Sequence, residues 1–288
     1  MRLIAILLSL WANRYPERID RWRRPESFYR YTGWVDARFR ALRLDDGLSR
    51  YLAMLLPPVL LMAVLQWLAH GWLLGLGELV LSLAALLFAH GSGQVDSHLE
   101  AFSEAWRQRR PEYARQALAE LDEAAQPTDD AALPAAAVDA LFWQSYRRVF
   151  SAIFWLLLLG PVGPVLMRIA ALVHDYAERR AEPALAQVAS AFLFTLDWLP
   201  VRATALAFGL AGSFVHAVEG WRAALQTPDE HSRRIVAGSG RAALDADETE
   251  MQPDSAVELL ADARALVSRS LLVWLAATAL MTIAGWLY

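Results

Sequence analysis

The 288-residue chain has no cysteine and no lysine; all 27 of its basic residues are arginine. Without cysteine there is no disulfide scaffold, no thiolate metal site and no cysteine nucleophile. Charge is scarce, at 20% of residues, and the formal net charge of -4 offers no bulk attraction to nucleic acid. The GK[ST] of a phosphate loop, GxSxG, HExxH and a paired-carboxylate motif are all missing. Six histidines (70, 90, 98, 174, 216 and 231) show no metal-ligand spacing, so neither a metal nor a cofactor is expected. Period-2 strand runs and internal repeats are absent as well, and the lack of matching half-sequences argues against a transporter.

What the chain has in abundance is apolar sequence, 56% of residues. An ordinary soluble domain has about 45–50% on a comparable count. Residues 51–77 contain no acid or arginine; Glu78 interrupts the run and residues 79–89 continue it. The combined stretch would make a helix of about 58 Å, whereas one crossing needs about 30 Å. Gly71, Gly75 and Gly77 supply a place to turn, so two crossings joined by a short outer turn are expected. Residues 149–167 and 270–288 form two further uncharged runs, and 198–218 a fifth, weaker one containing Arg202 and His216. Asp197 as N-cap and Pro200 in the first turn predict a helix starting there, separate from a preceding segment over 184–196. Residues 3–12 are apolar but too short to cross, which suggests an interfacial or half-inserted helix.

Ten arginines in residues 13–50, six in 90–148 and six in 219–269 place these segments in the cytoplasm. The same count puts 168–197 outside, unless Gly160-Pro161-Val162-Gly163-Pro164 breaks the third run into a re-entrant pair. Between the runs, Leu99, Phe102, Trp106, Tyr113, Ala117, Leu118 and Leu121 keep helical spacing, and Pro111 divides them into two amphipathic helices. Residues 124–134 read as a linker, 135–148 as a helix, 227–254 as a mobile polar loop around Gly238-Ser239-Gly240, and 256–267 as an amphipathic helix entering the last run.

The expected architecture is an all-α polytopic membrane protein with four to five transmembrane helices. It consists of an N-terminal interfacial helix and arginine-rich arm (1–50), a transmembrane hairpin (51–89) and a cytoplasmic helical loop (90–148). A transmembrane pair or re-entrant region follows (149–218), then a polar loop with an amphipathic helix (219–269) and a C-terminal transmembrane helix (270–288). Ionisable residues inside such runs are functional candidates, because each costs roughly 2.5–3.5 kcal/mol at mid-helix. Glu78 at the outer turn and Arg168 at a span end have structural explanations in flanking and snorkelling. Arg202 does not, since an arginine in a first helical turn opposes the helix dipole. Arg168, Asp197 and Arg202, beside Trp198, are therefore expected to converge as a polar cluster able to hold an anionic group.

The order Phe142-Trp143, Tyr146-Arg147, Ile153-Phe154-Trp155, Gly160-Pro161-Val162-Gly163 and Leu196-Asp197-Trp198-Leu199-Pro200-Val201-Arg202 resembles the AmpE family. The stretch Gly93 to Leu99 and Phe102 to Trp106 resembles it too. AmpE proteins are inner-membrane proteins named for β-lactamase regulation, in a superfamily with the cobalamin-biosynthesis synthases CobD and CbiB. The resemblance implies a multi-pass inner-membrane signalling protein in the cell-envelope and antibiotic response. Its partners would be the bilayer, an anionic small molecule or cell-wall fragment, and a protein. The alternative is a membrane-embedded synthase. Laid on the synthase pattern, its acid and amide pair falls on Trp143 and Gln144 and a second motif on Ala171 to His174, both without their acids. Arg168, Pro200 and Arg202 are kept. The resemblance therefore implies binding or signalling without the synthase reaction.

Overall fold

The computed structural model describes residues 1–12, 26–42, 46–70, 75–91, 95–225, 231–244 and 253–285. Within them the chain is all helical: α1 (Arg2–Ala12), α2 (Glu26–Ala41), α3 (Gly47–Ala69), α4 (Leu76–His90), α5 (Val95–Arg107), α6 (Pro111–Leu121) and α7 (Leu133–Ser145) come first. A π-helical turn, Tyr146–Phe150, leads into α8 (Ser151–Leu159), α9 (Val162–Arg179), α10 (Pro183–Ala211), α11 (Phe214–Leu225), α12 (His231–Leu244) and α13 (Pro253–Ile283).

Among the described residues, four stretches are long and apolar enough to cross a membrane: Gly47–Ala69, Leu76–Arg107, Pro183–Ala211 and Ala256–Ile283. The second of these includes residues 92–94, which are not among those described. Only 17% of the apolar stretch in α3 is buried by protein. Leu56, Leu60, Leu61, Val64, Leu65, Trp67 and Leu68 all face outward. A contiguous apolar face of this extent is what a lipid-facing helix presents.

The chain forms two compact units: Met1–Ser92, Ser151–Trp198 and Met281–Tyr288 make the first, Gly93–Phe150 and Leu199–Leu280 the second. In the first, α9 packs against α3, α4 and α8, α1 lies on α4, and α2 lies on α3. The third apolar run is not one span. It breaks at Gly160 (φ +67°) and Pro161, and α9 folds back along α8. A Cβ on Gly163 would stand 2.1 Å from the Trp155 carbonyl oxygen, so only glycine permits this approach. The backbone groups freed at the break are taken up by a side chain from α3. The Gln66 amide donates to the Leu159 carbonyl at 3.3 Å and accepts from the Val162 N–H at 3.1 Å. Irregular backbone at membrane depth needs such partners. The chain thus reverses direction within this run, between α8 and α9. Residues 168–182, which the arginine count alone places opposite residues 13–50, come back to the end of the unit where α3 begins.

Two further expectations are corrected. No helix starts at Asp197: α10 runs unbroken from Pro183, with Pro200 inside it, and Asp197 sits buried in mid-helix. Proline is tolerated within a membrane helix because neighbouring groups re-satisfy the freed carbonyl. The helix instead ends near Gly212, where a Cβ would meet the Ala243 carbonyl oxygen at 2.4 Å. Nor is 227–254 a loop throughout. Residues 231–244 form α12, and the remainder of that segment before Pro253 is outside the described residues. Its Gly238-Ser239-Gly240 is a packing seam in the second unit: a Cβ on Gly220 of α11 would lie 2.5 Å from the Gly238 oxygen, and Gly240 lies against Phe142. Small residues let helix backbones approach this closely. Also in the second unit, α5 and α6 divide at Pro111 and bury Leu99, Phe102, Ala117, Leu118 and Leu121, as their spacing predicts, whereas Trp106 is only half-buried and Tyr113, of the same pattern, is exposed.

Candidate functional site

The most buried charges of the first unit lie where α2, α3, α9 and α10 meet. Helix α2 turns Thr32, Val35 and Asp36 inward. Asp36 is 1% exposed and Arg50 2%. The Asp36 carboxylate accepts from Arg40, one turn along the same helix, and from Arg50 in the first turn of α3. Tyr176 of α9 donates to it from 3.4 Å. On its other side the Arg50 guanidinium meets Glu182 at 3.3 Å, and Arg40 reaches the same carboxylate at 3.8 Å.

Glu182 is aimed by the end of α9. The Ala181 N–H bonds to the Glu178 carbonyl and the Glu182 N–H to the Ala177 carbonyl, with Ala181 at φ +51°. This is the paired capping geometry that usually takes glycine at the left-handed position. Immediately beyond it Pro183 starts α10, and Ala184 presses against Gly47, whose Cβ would lie 2.5 Å from the Ala184 oxygen.

Two carboxylates and two guanidiniums balance within this network. Burial by itself would push the Asp36 carboxyl up, but hydrogen bonds from Arg40 and Arg50 and their charges outweigh it and hold it below the usual carboxylate range. Burial, reinforced by the negative Asp36, pushes the Tyr176 phenol above its ordinary value. With its charges internally matched, the cluster fastens α2 to the ends of the membrane helices.

A second polar tie lies at the opposite end of α3. Arg2 approaches Glu78, in the first turn of α4, at 3.7 Å and donates to the Leu157 carbonyl at 2.7 Å. This gives Glu78 the flanking role expected of a charge at the hairpin turn. It also fixes α1 against α4 and α8.

Of the residues singled out from sequence, Arg168, Asp197 and Trp198 fall in the first unit and Arg202 in the second. The Arg168 guanidinium lies over Gly91, 3.3 Å from where a Cβ would be, at the C-terminal cap of α4. A cation suits the negative end of a helix dipole. Asp197 is buried, Arg202 half-buried and Trp198 exposed. The network on Asp36, Arg50, Tyr176 and Glu182 went unread in the sequence. Only the Asp36/Arg40 spacing of four carried a signal for it.

In the second unit, at the synthase-pattern positions, the Trp143 ring stacks on Tyr146 with centroids 5.3 Å apart. Gln144 donates to the Leu121 carbonyl at 3.0 Å and accepts from Arg148 at 3.2 Å. Asp122, next to Leu121, is held by Arg233 at 2.6 Å. In the first unit, Ala171, Leu172 and Val173 are core residues.

The sequence model described as "Regulatory signalling modulator protein AmpE" matches residues 1–288. The chain belongs to the AmpE family. This AmpE-family protein is also similar to curated proteins named "Cobalamin biosynthesis protein CobD". That of Chromobacterium violaceum is 30% identical over 148 residues, 50% of this chain and 46% of the relative. That of Stutzerimonas stutzeri is 26% identical over 205 residues, 69% of this chain and 65% of the relative. The matches thus span about half of the first relative's length and just under two thirds of the second's. No solved structure matches the chain.

Proposed function

We propose that this AmpE-family protein is a multi-pass inner-membrane regulator that couples a cell-envelope signal to β-lactamase control, and that it does so by binding rather than by catalysis. The family supplies the regulatory reading. The observation that carries the second half is what occupies the synthase-pattern positions. Trp143 is stacked on Tyr146, Gln144 is bonded on both sides, and Ala171 and Leu172 are packed in the core. An amidation site activates its acid and positions its amine with charged, accessible groups; none of these positions holds an acid, and of them only His174, half-buried beside Asp175 at 3.7 Å, is ionisable.

The ligand in this reading is an anionic small molecule such as a cell-wall fragment, for which Arg168, Asp197, Trp198 and Arg202 remain the candidate residues; a protein partner receives the signal. The test has two arms. In a strain lacking the gene, β-lactamase induction by a sub-inhibitory β-lactam is expected to change and to be restored by the wild-type chain; unchanged induction overturns the regulatory role. In a strain lacking its cobalamin synthase, the chain is expected not to restore cobalamin-dependent growth; restoration overturns the non-catalytic reading. Thermal shifts of the detergent-purified protein with muropeptides, nucleotides and corrinoids identify the ligand class. A shift lost in Arg202→Ala places Arg202 at the site.

A further inference from the structure

Helix α2 buries one side in the first unit and turns the other outward. The outward stripe carries Arg30, Trp34 and Arg38 at intervals of four, so they lie one above another along the helix. Trp34 is 55% exposed, and the Arg38 guanidinium lies over its ring at 5.0 Å from the centroid. Beside this stripe is the end of α9. Arg179 sits over the Tyr29 ring at 5.7 Å and Arg180 over Tyr176 at the same distance. Arg40 remains half in solvent while it pairs inward. Among the described residues, the exposed charges around α2 and the end of α9 are then Arg30, Arg38, Arg40, Arg179 and Arg180 against Glu26, Asp46 and Glu178.

The level of this surface is fixed by its neighbours. Gly47 and Ala184 touch where α3 and α10 begin, and both helices are apolar enough to cross the bilayer from there. Tyr176 binds Asp36 at the same end. The arginine and tryptophan stripe therefore lies at the headgroup level. There arginines gain from a negative leaflet surface, and a tryptophan with one apolar side and one wet side is at home. Guanidiniums braced on aromatic rings are pre-aimed forks for phosphate oxygens.

We propose that α2 and the end of α9 form a binding surface for anionic phospholipid headgroups, with Arg30, Arg38, Arg179 and Arg180 contacting the phosphates and Trp34 seated at the glycerol level. The test is lipid retention. The protein is reconstituted in nanodiscs of equal parts phosphatidylglycerol and phosphatidylcholine, and the lipids that stay bound on release are counted by native mass spectrometry. The wild type is expected to retain phosphatidylglycerol over phosphatidylcholine by on the order of tenfold. The preference should fall toward parity in R30Q/R38Q/R179Q/R180Q and stay unchanged in R107Q/R110Q, whose arginines lie on the second unit. Equal retention by the wild type overturns the proposal, as does a folded quadruple variant that keeps the preference. Should that variant not fold, raising the salt on the wild type decides. Loss of the preference supports a headgroup surface, since exposed charges are screened, and persistence overturns it. A preference abolished by inorganic phosphate at low ionic strength would assign a free-phosphate site instead and overturn the lipid assignment.

Discussion

Arg50 and Glu182 stand 132 positions apart in the chain and meet at 3.3 Å, with Asp36 on the other side of the same guanidinium. One buried cation thus ties the first turn of α3 to the α9–α10 corner and to α2. Removing it by Arg50→Met leaves the Asp36 carboxylate buried with Arg40 as its remaining cation. Breaking one side of a buried pair costs about 3–5 kcal/mol. A marked drop in the melting temperature in detergent is expected. The double variant Arg50→Met/Asp36→Leu, which leaves no buried charge between them, should recover part of it.

The same network sets an acid limit. Because Asp36 is held below the usual carboxylate range when folded, its contribution is present above the unfolded value and is lost as pH falls through the lower, folded one. The stability difference between the wild type and Asp36→Asn should therefore be constant from pH 7 to about pH 5 and shrink below about pH 4. Melting curves of both proteins across that range check it. A difference that instead grows on acidification contradicts the assignment.

Gln66→Leu keeps the apolar character of α3 but strips the Leu159 carbonyl and the Val162 N–H of their partner. Leaving buried backbone groups unsatisfied costs about 1–3 kcal/mol. The expected result is a lower melting temperature, with faster hydrogen exchange confined to the α8–α9 corner. Exchange that rises evenly along α3 would point to a different role for the amide.

Two glycines should respond oppositely to alanine. At Gly163 the added methyl meets the Trp155 backbone at 2.1 Å, and something must move. Overpacking of this kind costs about 1–3 kcal/mol or more. At Gly33, inside α2, nothing lies within 4 Å of the new Cβ. There alanine should stabilise by about 0.5–1 kcal/mol through helix propensity. Thermal unfolding of the two variants separates the cases.

The reversal between α8 and α9 leads to a topological prediction, that this pair is re-entrant. Reporters fused after residues 45 and 180 should report the same compartment, and one fused after residue 72 the other. A reporter at 180 that agrees with residue 72 would mean that the third apolar run crosses after all.

What the sequence determined by itself is the solvent and the kind of element. Residues 51–69 hold no charge and form a run long enough to cross a bilayer. The spacing of Leu99, Phe102, Ala117, Leu118 and Leu121 admits only helices with a single buried face. These are local properties, written in hydropathy and period. Direction and pairing were left to the tertiary structure. Whether residues 149–182 cross or return depends on the fit of Gly163 against Trp155 and on an amide from Gln66, nearly a hundred positions away. The local signals of Asp197 and Pro200 likewise did not record that α10 continues through both. The Asp36–Arg50–Glu182 network exists only once three distant segments have met. Burial strengthens those pairings because it removes competing water, and no property of the isolated segments records which charges will share a dry corner.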